Sequence, residues 1–135
     1  MKKNIFLFLI AMTISCTSQK SSVVQSSPAE YINTITATDL KTHLQIIASD
    51  AMEGRQTGSV GQKKAGNYLI EQYKANTVPF PKGATDYYQR IPASFLNAIR
   101  NVNLPDSENI WAYIEGTEKP DEVIVLSAHY DHIGI

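Results

Sequence analysis

The chain has 135 residues, which is enough for one ordinary domain or part of a larger one and too few for two. Twelve Lys and Arg residues against thirteen Asp and Glu residues leave a net charge of −1, which excludes the broad basic surface typical of nucleic-acid binding. A hydrophobic share of 43% is typical of a packed core, and a single cysteine excludes both an internal disulfide and a cysteine-rich zinc module.

The first fifteen residues have the pattern of a secretory signal peptide. Lys2 and Lys3 form a short positive segment, and residues 5–14 (IFLFLIAMTI) are an apolar run interrupted only by Thr13. Spanning a bilayer takes about 20 apolar residues, so the run is too short for a transmembrane helix. Its length and position favour a cleaved export signal.

The apolar run ends in Thr13-Ile14-Ser15-Cys16, which resembles the lipobox of bacterial lipoproteins. There a small residue precedes a cysteine that is lipidated and becomes the new N-terminus, although the pattern prefers an aliphatic residue where Thr13 stands. Residues 17–30 carry five serines and almost no large apolar side chains, so residues 16–37 are predicted to be a lipidated cysteine with a flexible tether. The predicted location is the cell envelope, in the periplasm or at the outer membrane, and the alternative is a plain signal peptide with an incidental Cys16.

The globular part is predicted over residues 38–135 and begins with two helices separated by a loop. The first helix follows a capping-box sequence and has apolar residues at helical spacing, namely Leu40, Leu44 and Ile47. Residues 49–58 are polar, contain two glycines and lack periodicity, which predicts a loop. Ser59 begins a second capping box, and the helix that follows should end near Lys74, before Pro79.

Strands are predicted in the second half of the chain. Residues 87–91 read as a strand that is closed by Pro92, and residues 109–115 (NIWAYIE) alternate between two faces. After a turn, residues 123–128 (VIVLSA) form a continuous apolar run, which is typical of a strand buried on both faces. The order of elements predicts an α/β fold.

The candidate chemistry directly follows the third predicted strand. In open α/β sheets, ligands bind beyond the carboxyl ends of the strands, and a neutral imidazole such as that of His129 is a natural zinc ligand there. In extended geometry Asp131 lies on the same side and can accept the other ring N–H of His129. His132 would face the opposite way, and His43 reads as a histidine packing at the edge of the core. The alternative is a strand-end histidine that is hydrogen-bonded to a nearby loop.

Several segments in order resemble the start of an M28-family zinc metallopeptidase over residues 38–135. They are the loop Glu53-Gly54-Arg55, a helix that begins at Gly58-Ser59, the strand at residues 109–116, and an apolar strand that ends in HxDH-x-G at residues 129–134. The resemblance implies a mixed sheet flanked by helices and two zinc ions bridged by a carboxylate. It also implies an aminopeptidase activity, an exopeptidase reaction that removes N-terminal residues from peptide substrates.

The same resemblance assigns roles to two residues. His129 matches the family's first metal-binding histidine, and Asp131 matches the acidic residue that supports this histidine and is counted as catalytic. The family's other zinc ligands and its Glu general base have no matching position among the 135 residues. The chain is therefore expected to be the N-terminal portion of the enzyme, with an incomplete sheet and no activity alone.

Two other functions fit the same sequence features. A glutaminyl-cyclase-like relative would share the fold and the metal but would catalyse cyclisation instead of hydrolysis. A non-catalytic surface lipoprotein would use the same scaffold to bind a peptide or a glycan. In every case the predicted contacts are with peptides or glycans and, through the lipid, with a membrane, and nucleic acid is not among them.

We predict that the exported protein carries lipid on Cys16 and partitions with membranes, because the cysteine ends the apolar run and a serine-rich segment follows. Metabolic labelling with a fatty-acid probe and mass spectrometry of the mature N-terminus measure this. A Cys16→Ser variant is the control and should lose the label. An unmodified N-terminus downstream of Cys16 would contradict the prediction.

Overall fold

A computed structural model describes residues 27–100 and 102–135. The chain divides into two units, Met1–Thr34 and Ile35–Ile135. The predicted signal peptide and Cys16 lie outside the described residues. In the part of the chain that the structure describes, no helix combines the length and the apolar character needed to cross a membrane.

The described part of the first unit contains one short helix, α1, at Pro28–Ile32. Pro28 supplies the φ angle that suits the first helical position, and the Glu30 carboxylate accepts the Ser27 N–H at 3.1 Å. Every residue of this helix is exposed. The helix lies inside residues 16–37, where the serine-rich composition predicts a flexible tether. The contacts at its start explain why residues 28–32 are helical.

The two predicted helices of the second unit are confirmed. Helix α2 covers Ala37–Ile47, and the Thr36 hydroxyl accepts the Asp39 N–H at 3.1 Å at its start. Helix α3 covers Val60–Ala75, and the Ser59 hydroxyl accepts the Gln62 N–H at 3.2 Å. Between them, Asp50–Arg55 forms a short 3₁₀ segment where the sequence predicts only a loop.

Helix α3 is the centre of the packing in this unit. It lies against the 3₁₀ segment and against strand β2, which covers Ser107–Ile110. Ala65 on α3 is fully buried, and Ile70 and Met52 are buried with it. A Cβ on Gly61 would overlap the carbonyl oxygen of Met52, so the helix reaches the 3₁₀ backbone only because this position has no side chain.

Over the described ranges 27–100 and 102–135, the sheet has two antiparallel strands. Strand β1 covers Tyr88–Ile91, close to the predicted span, and pairs with β2 so that Tyr88 lies opposite Ile110. Helix α4, Ala93–Arg100, lies between the two strands in sequence and was not predicted. Beyond β2, Trp111 still donates its N–H to the Tyr87 carbonyl at 3.0 Å. The unit is thus a small mixed helix and strand domain, compatible with a coarse α/β class.

The prediction of a buried strand at residues 123–128 is wrong for this structure. The segment has no strand pairing, and residues 123–126 are between 66% and 94% exposed. A strand that is apolar on both faces needs neighbouring strands for its N–H and C=O groups and layers that cover its side chains. The described residues place no strand beside it, so the apolar run alone does not produce a strand.

We predict that Gly61→Ala destabilises the protein although alanine is the better helix former. Helix propensity favours alanine by about 1 kcal/mol, whereas overlap with the Met52 carbonyl should cost about 1–3 kcal/mol or more. Thermal unfolding should show a midpoint lowered by several degrees. Gly116→Ala is the matched control, since the nearest atom to its new Cβ lies 3.4 Å away. If Gly61→Ala raises the thermal midpoint, the close approach of α3 to the Met52 carbonyl is contradicted.

Candidate functional site

The backbone bends sharply at Glu53-Gly54-Arg55. The φ angles of these three consecutive residues are 51°, 62° and 51°, all in the left-handed region. For residues other than glycine this conformation costs about 1–2 kcal/mol each, so Glu53 and Arg55 adopt it against their own preference. Such strain persists only where surrounding contacts fix the backbone.

Side-chain contacts hold both strained residues of this bend. The Arg55 guanidinium donates from Nε to the Tyr130 carbonyl at 2.8 Å and from Nη1 to the Ile47 carbonyl at the end of α2. The Glu53 carboxylate forms an ion pair with Lys64 of α3. These contacts join the bend to α2, to α3 and to the segment that carries the candidate metal ligand.

The main chain of the bend binds the end of the chain directly. His132 donates its N–H to the Arg55 carbonyl at 2.8 Å, and Gly134 donates its N–H to the Gly54 carbonyl at 3.0 Å. A Cβ on Gly54 would overlap the backbone of Gly134, so glycine is needed for this approach. Gln56 and His132 form an isolated parallel β-bridge at the same place.

His129 and Asp131 lie together at this point, although not quite as the sequence predicts. The His129 Nδ1 atom lies 2.9 Å from the main-chain oxygen of Asp131 and 3.4 Å from its carboxylate Oδ1. The nearer acceptor of the ring nitrogen is therefore the peptide carbonyl of Asp131 and not its carboxylate. The second carboxylate oxygen, Oδ2, accepts a hydrogen bond from the Thr57 hydroxyl.

The His129 side chain fits the role of a metal ligand. Because Nδ1 faces two oxygen acceptors, the neutral ring is assigned its proton there, which leaves the Nε2 lone pair for a metal. The side chain is 82% exposed, so Nε2 is accessible to an ion. Within residues 27–100 and 102–135, no group of three His, Cys, Asp or Glu residues is close enough to hold a metal ion.

The other two histidines have different environments. His132 contributes to the bend contact through its main-chain N–H, and its side chain is exposed. His43 does not pack against the core as predicted. It is exposed on α2, and its Nδ1 lies 2.6 Å from the Tyr68 hydroxyl of α3. The His43 imidazole can remain at the surface because the Tyr68 hydroxyl gives it a polar partner there.

Tyr130, which the sequence analysis did not single out, anchors the segment between His129 and Asp131. Its hydroxyl donates to the Glu108 carbonyl of β2 at 2.7 Å and accepts from Gln62 Nε2 at 3.2 Å. Burial raises the pKa of the Tyr130 phenol, and the nearby Glu108 carboxylate raises it further, so the hydroxyl stays protonated and keeps its donor role. The position of Tyr130 between the two candidate site residues is the signal that could have found it.

Comparison with known proteins adds no relative: no family model matches the chain, and no curated protein or solved structure matches it either.

We predict that Arg55→Met loosens the end of the chain without unfolding the domain. Loss of two hydrogen bonds from a charged group should cost at least about 1.4 kcal/mol, which corresponds to an about tenfold larger population of the open state. Hydrogen exchange of the His132 and Gly134 amides measures this opening, with the Ile70 amide as a reporter of global unfolding.

Arg90→Met is the matched control for this experiment, because Arg90 is exposed and forms its ion pair with Asp86, four residues away on the same segment. It should leave the exchange of both amides unchanged. Equal exchange rates for the His132 and Gly134 amides in wild type and Arg55→Met would show that the guanidinium does not hold the bend.

Proposed function

We propose that this chain carries the first zinc-binding segment of a metal-dependent exopeptidase, an aminopeptidase that removes N-terminal residues from peptides. The observation that carries the proposal is the pairing of His129 and Asp131 at an accessible position, with the imidazole Nδ1 against oxygen acceptors and the carboxylate held by Thr57. The resemblance of residues 38–135 to M28-family metallopeptidases supports the same assignment.

In this proposal His129 binds the metal through Nε2, and Asp131 orients the ring through the acceptors at Nδ1. When bound, zinc supplies a Lewis acid and a water molecule with a lowered pKa. The contribution of this chain is to present one imidazole in a fixed tautomer and to hold the Asp131 carboxylate beside it. Catalytic zinc takes three protein ligands, so the proposal assigns the remaining ligands and the general base to parts of the enzyme beyond the described residues.

The proposal extends to the fold and to the location of the enzyme. The fold proposed for the enzyme is a zinc-peptidase-like mixed sheet flanked by helices. Export and lipidation at Cys16 would place the enzyme in the cell envelope, anchored to a membrane and acting on peptides there. The two-stranded sheet of β1 and β2 is compatible with a coarse α/β class.

The test is a set of single substitutions in the full-length protein that the gene encodes. His129→Ala should lose bound zinc and nearly all hydrolysis of aminoacyl substrates, because a metal ligand is removed. Asp131→Asn should retain zinc with affinity or activity lowered about 10–100-fold, since the group that orients the ligand is weakened. His132→Ala should cost much less, because the main-chain N–H of that residue makes its contact with the bend.

Metal content, hydrolysis rate and thermal midpoint are measured for each variant, with His43→Ala as a control on the far helix α2. Zinc lost from His132→Ala but kept by His129→Ala would contradict the ligand assignment. Cyclisation of N-terminal glutamine without hydrolysis would favour a cyclase, and peptide or glycan binding without turnover would favour a binding lipoprotein. Either result would overturn the aminopeptidase proposal.

A further inference from the structure

We propose that Thr57 is the residue that positions Asp131, and through Asp131 the metal-binding imidazole of His129. The inference rests on the proposed function and adds a residue to it. The Thr57 hydroxyl bonds to the Asp131 carboxylate, so its effect on the imidazole is transmitted through that carboxylate.

The two carboxylate oxygens of Asp131 face different partners. Oδ2 accepts from the Thr57 hydroxyl, and Oδ1 lies 3.4 Å from His129 Nδ1. A partial rotation of the carboxylate about its last bond would break the contact with Thr57. The hydroxyl therefore holds the plane of the carboxylate with one oxygen toward the imidazole.

Thr57 is itself held in a rigid turn. The turn is closed by a hydrogen bond from the Ser59 N–H to the Gln56 carbonyl at 2.8 Å, directly before α3. Gly58 adopts a φ angle of 78° there, and a Cβ at this position would lie 2.6 Å from Pro105 Cγ. Its N–H donates to the side chain of Gln62, which is buried in α3. The branched side chain of Thr57 also has few rotamers, so the hydroxyl has a defined direction.

A neutral donor suits this position for an electrostatic reason. A hydroxyl satisfies one carboxylate oxygen and leaves the negative charge of Asp131 intact. A lysine or arginine in its place would neutralise that charge and compete with the imidazole N–H for the carboxylate. Threonine thus anchors Asp131 without weakening its attraction for the ring that would bind the metal.

The test compares Thr57→Val, which keeps the branched shape and removes the hydroxyl, with Thr57→Ser, which keeps the hydroxyl. The whole chain is labelled with ¹⁵N, and long-range ¹H–¹⁵N spectra at a pH where imidazole is neutral report the tautomer of His129. We expect Thr57→Val to lower the ratio of the Nδ1–H form to the Nε2–H form, and Thr57→Ser to restore the wild-type ratio. Titration with Zn²⁺ alone, followed at the His129 signals, should show that Thr57→Val binds zinc more weakly than wild type. The loss of affinity should be less than about tenfold, because losing a direct partner of the ligand typically costs at least that much.

Two controls separate positioning from a general structural effect. Thr42→Val removes a hydroxyl that bonds only within α2, at 3.0 Å from the Thr38 carbonyl, and should change neither readout. In an Asp131→Ala background, Thr57→Val should have no further effect on the tautomer, because the carboxylate through which it acts is gone, while the main-chain carbonyl at residue 131 remains. If Thr57→Val fails to fold, Thr57→Ala replaces it with the same expectations.

An unchanged tautomer ratio in Thr57→Val, failure of Thr57→Ser to restore it, or an equal effect in the Asp131→Ala background would each overturn the role of Thr57. The tautomer measurement needs neither metal nor substrate, so it is independent of the aminopeptidase proposal. A full-length protein without peptidase activity would overturn that proposal and leave the tautomer result standing.

Discussion

The candidate site depends on two main-chain hydrogen bonds that join residues far apart in the sequence. The N–H groups of His132 and Gly134 bond to the carbonyls of Arg55 and Gly54, and these carbonyls face them only because the backbone at residues 53–55 is left-handed. The conformational cost of that bend is offset by the Arg55 hydrogen bonds and by the ion pair of Glu53. Thr57 follows within two residues, so the same bend also delivers its hydroxyl to Asp131.

The segment that carries the chemistry uses its two faces for different purposes. Tyr130 points inward and is held by Glu108 and Gln62, whereas His129 points outward and is exposed. These two neighbouring side chains thus lie on different sides of the segment, although no strand forms at residues 123–128. The Tyr130 side chain therefore fixes the segment against α3 and β2, and the His129 side chain remains accessible.

Two of the helices with local start signals, α2 and α3, could be predicted from the sequence, whereas α1, which also has such signals, was not. Thr36 and Ser59 begin α2 and α3 as expected, because helix capping involves residues only two or three positions apart. The strand at residues 123–128 could not be predicted correctly, since a strand depends on partners elsewhere in space. Its side chains are apolar but exposed, so an apolar run in the sequence does not by itself determine that the segment is buried or paired.

For the site, the spacing of His129 and Asp131 could be recognised, but the residues that hold them could not. The contact between Thr57 and Asp131 joins residues 74 positions apart and leaves no periodic signal. Left-handed backbone at Glu53 and Arg55 is likewise unexpected for these residue types and results from tertiary contacts.

The most direct test of this account is the measurement of scalar couplings across hydrogen bonds in the ¹⁵N,¹³C-labelled protein. We expect couplings from the Gly134 nitrogen to the Gly54 carbonyl carbon and from the His132 nitrogen to the Arg55 carbonyl carbon. Strong nuclear Overhauser effects between HN and Hα of the same residue should also be seen at Glu53 and Arg55, because a positive φ angle brings these two protons close together. Absence of both couplings, together with negative φ angles at these two residues, would contradict the bend on which the candidate site depends.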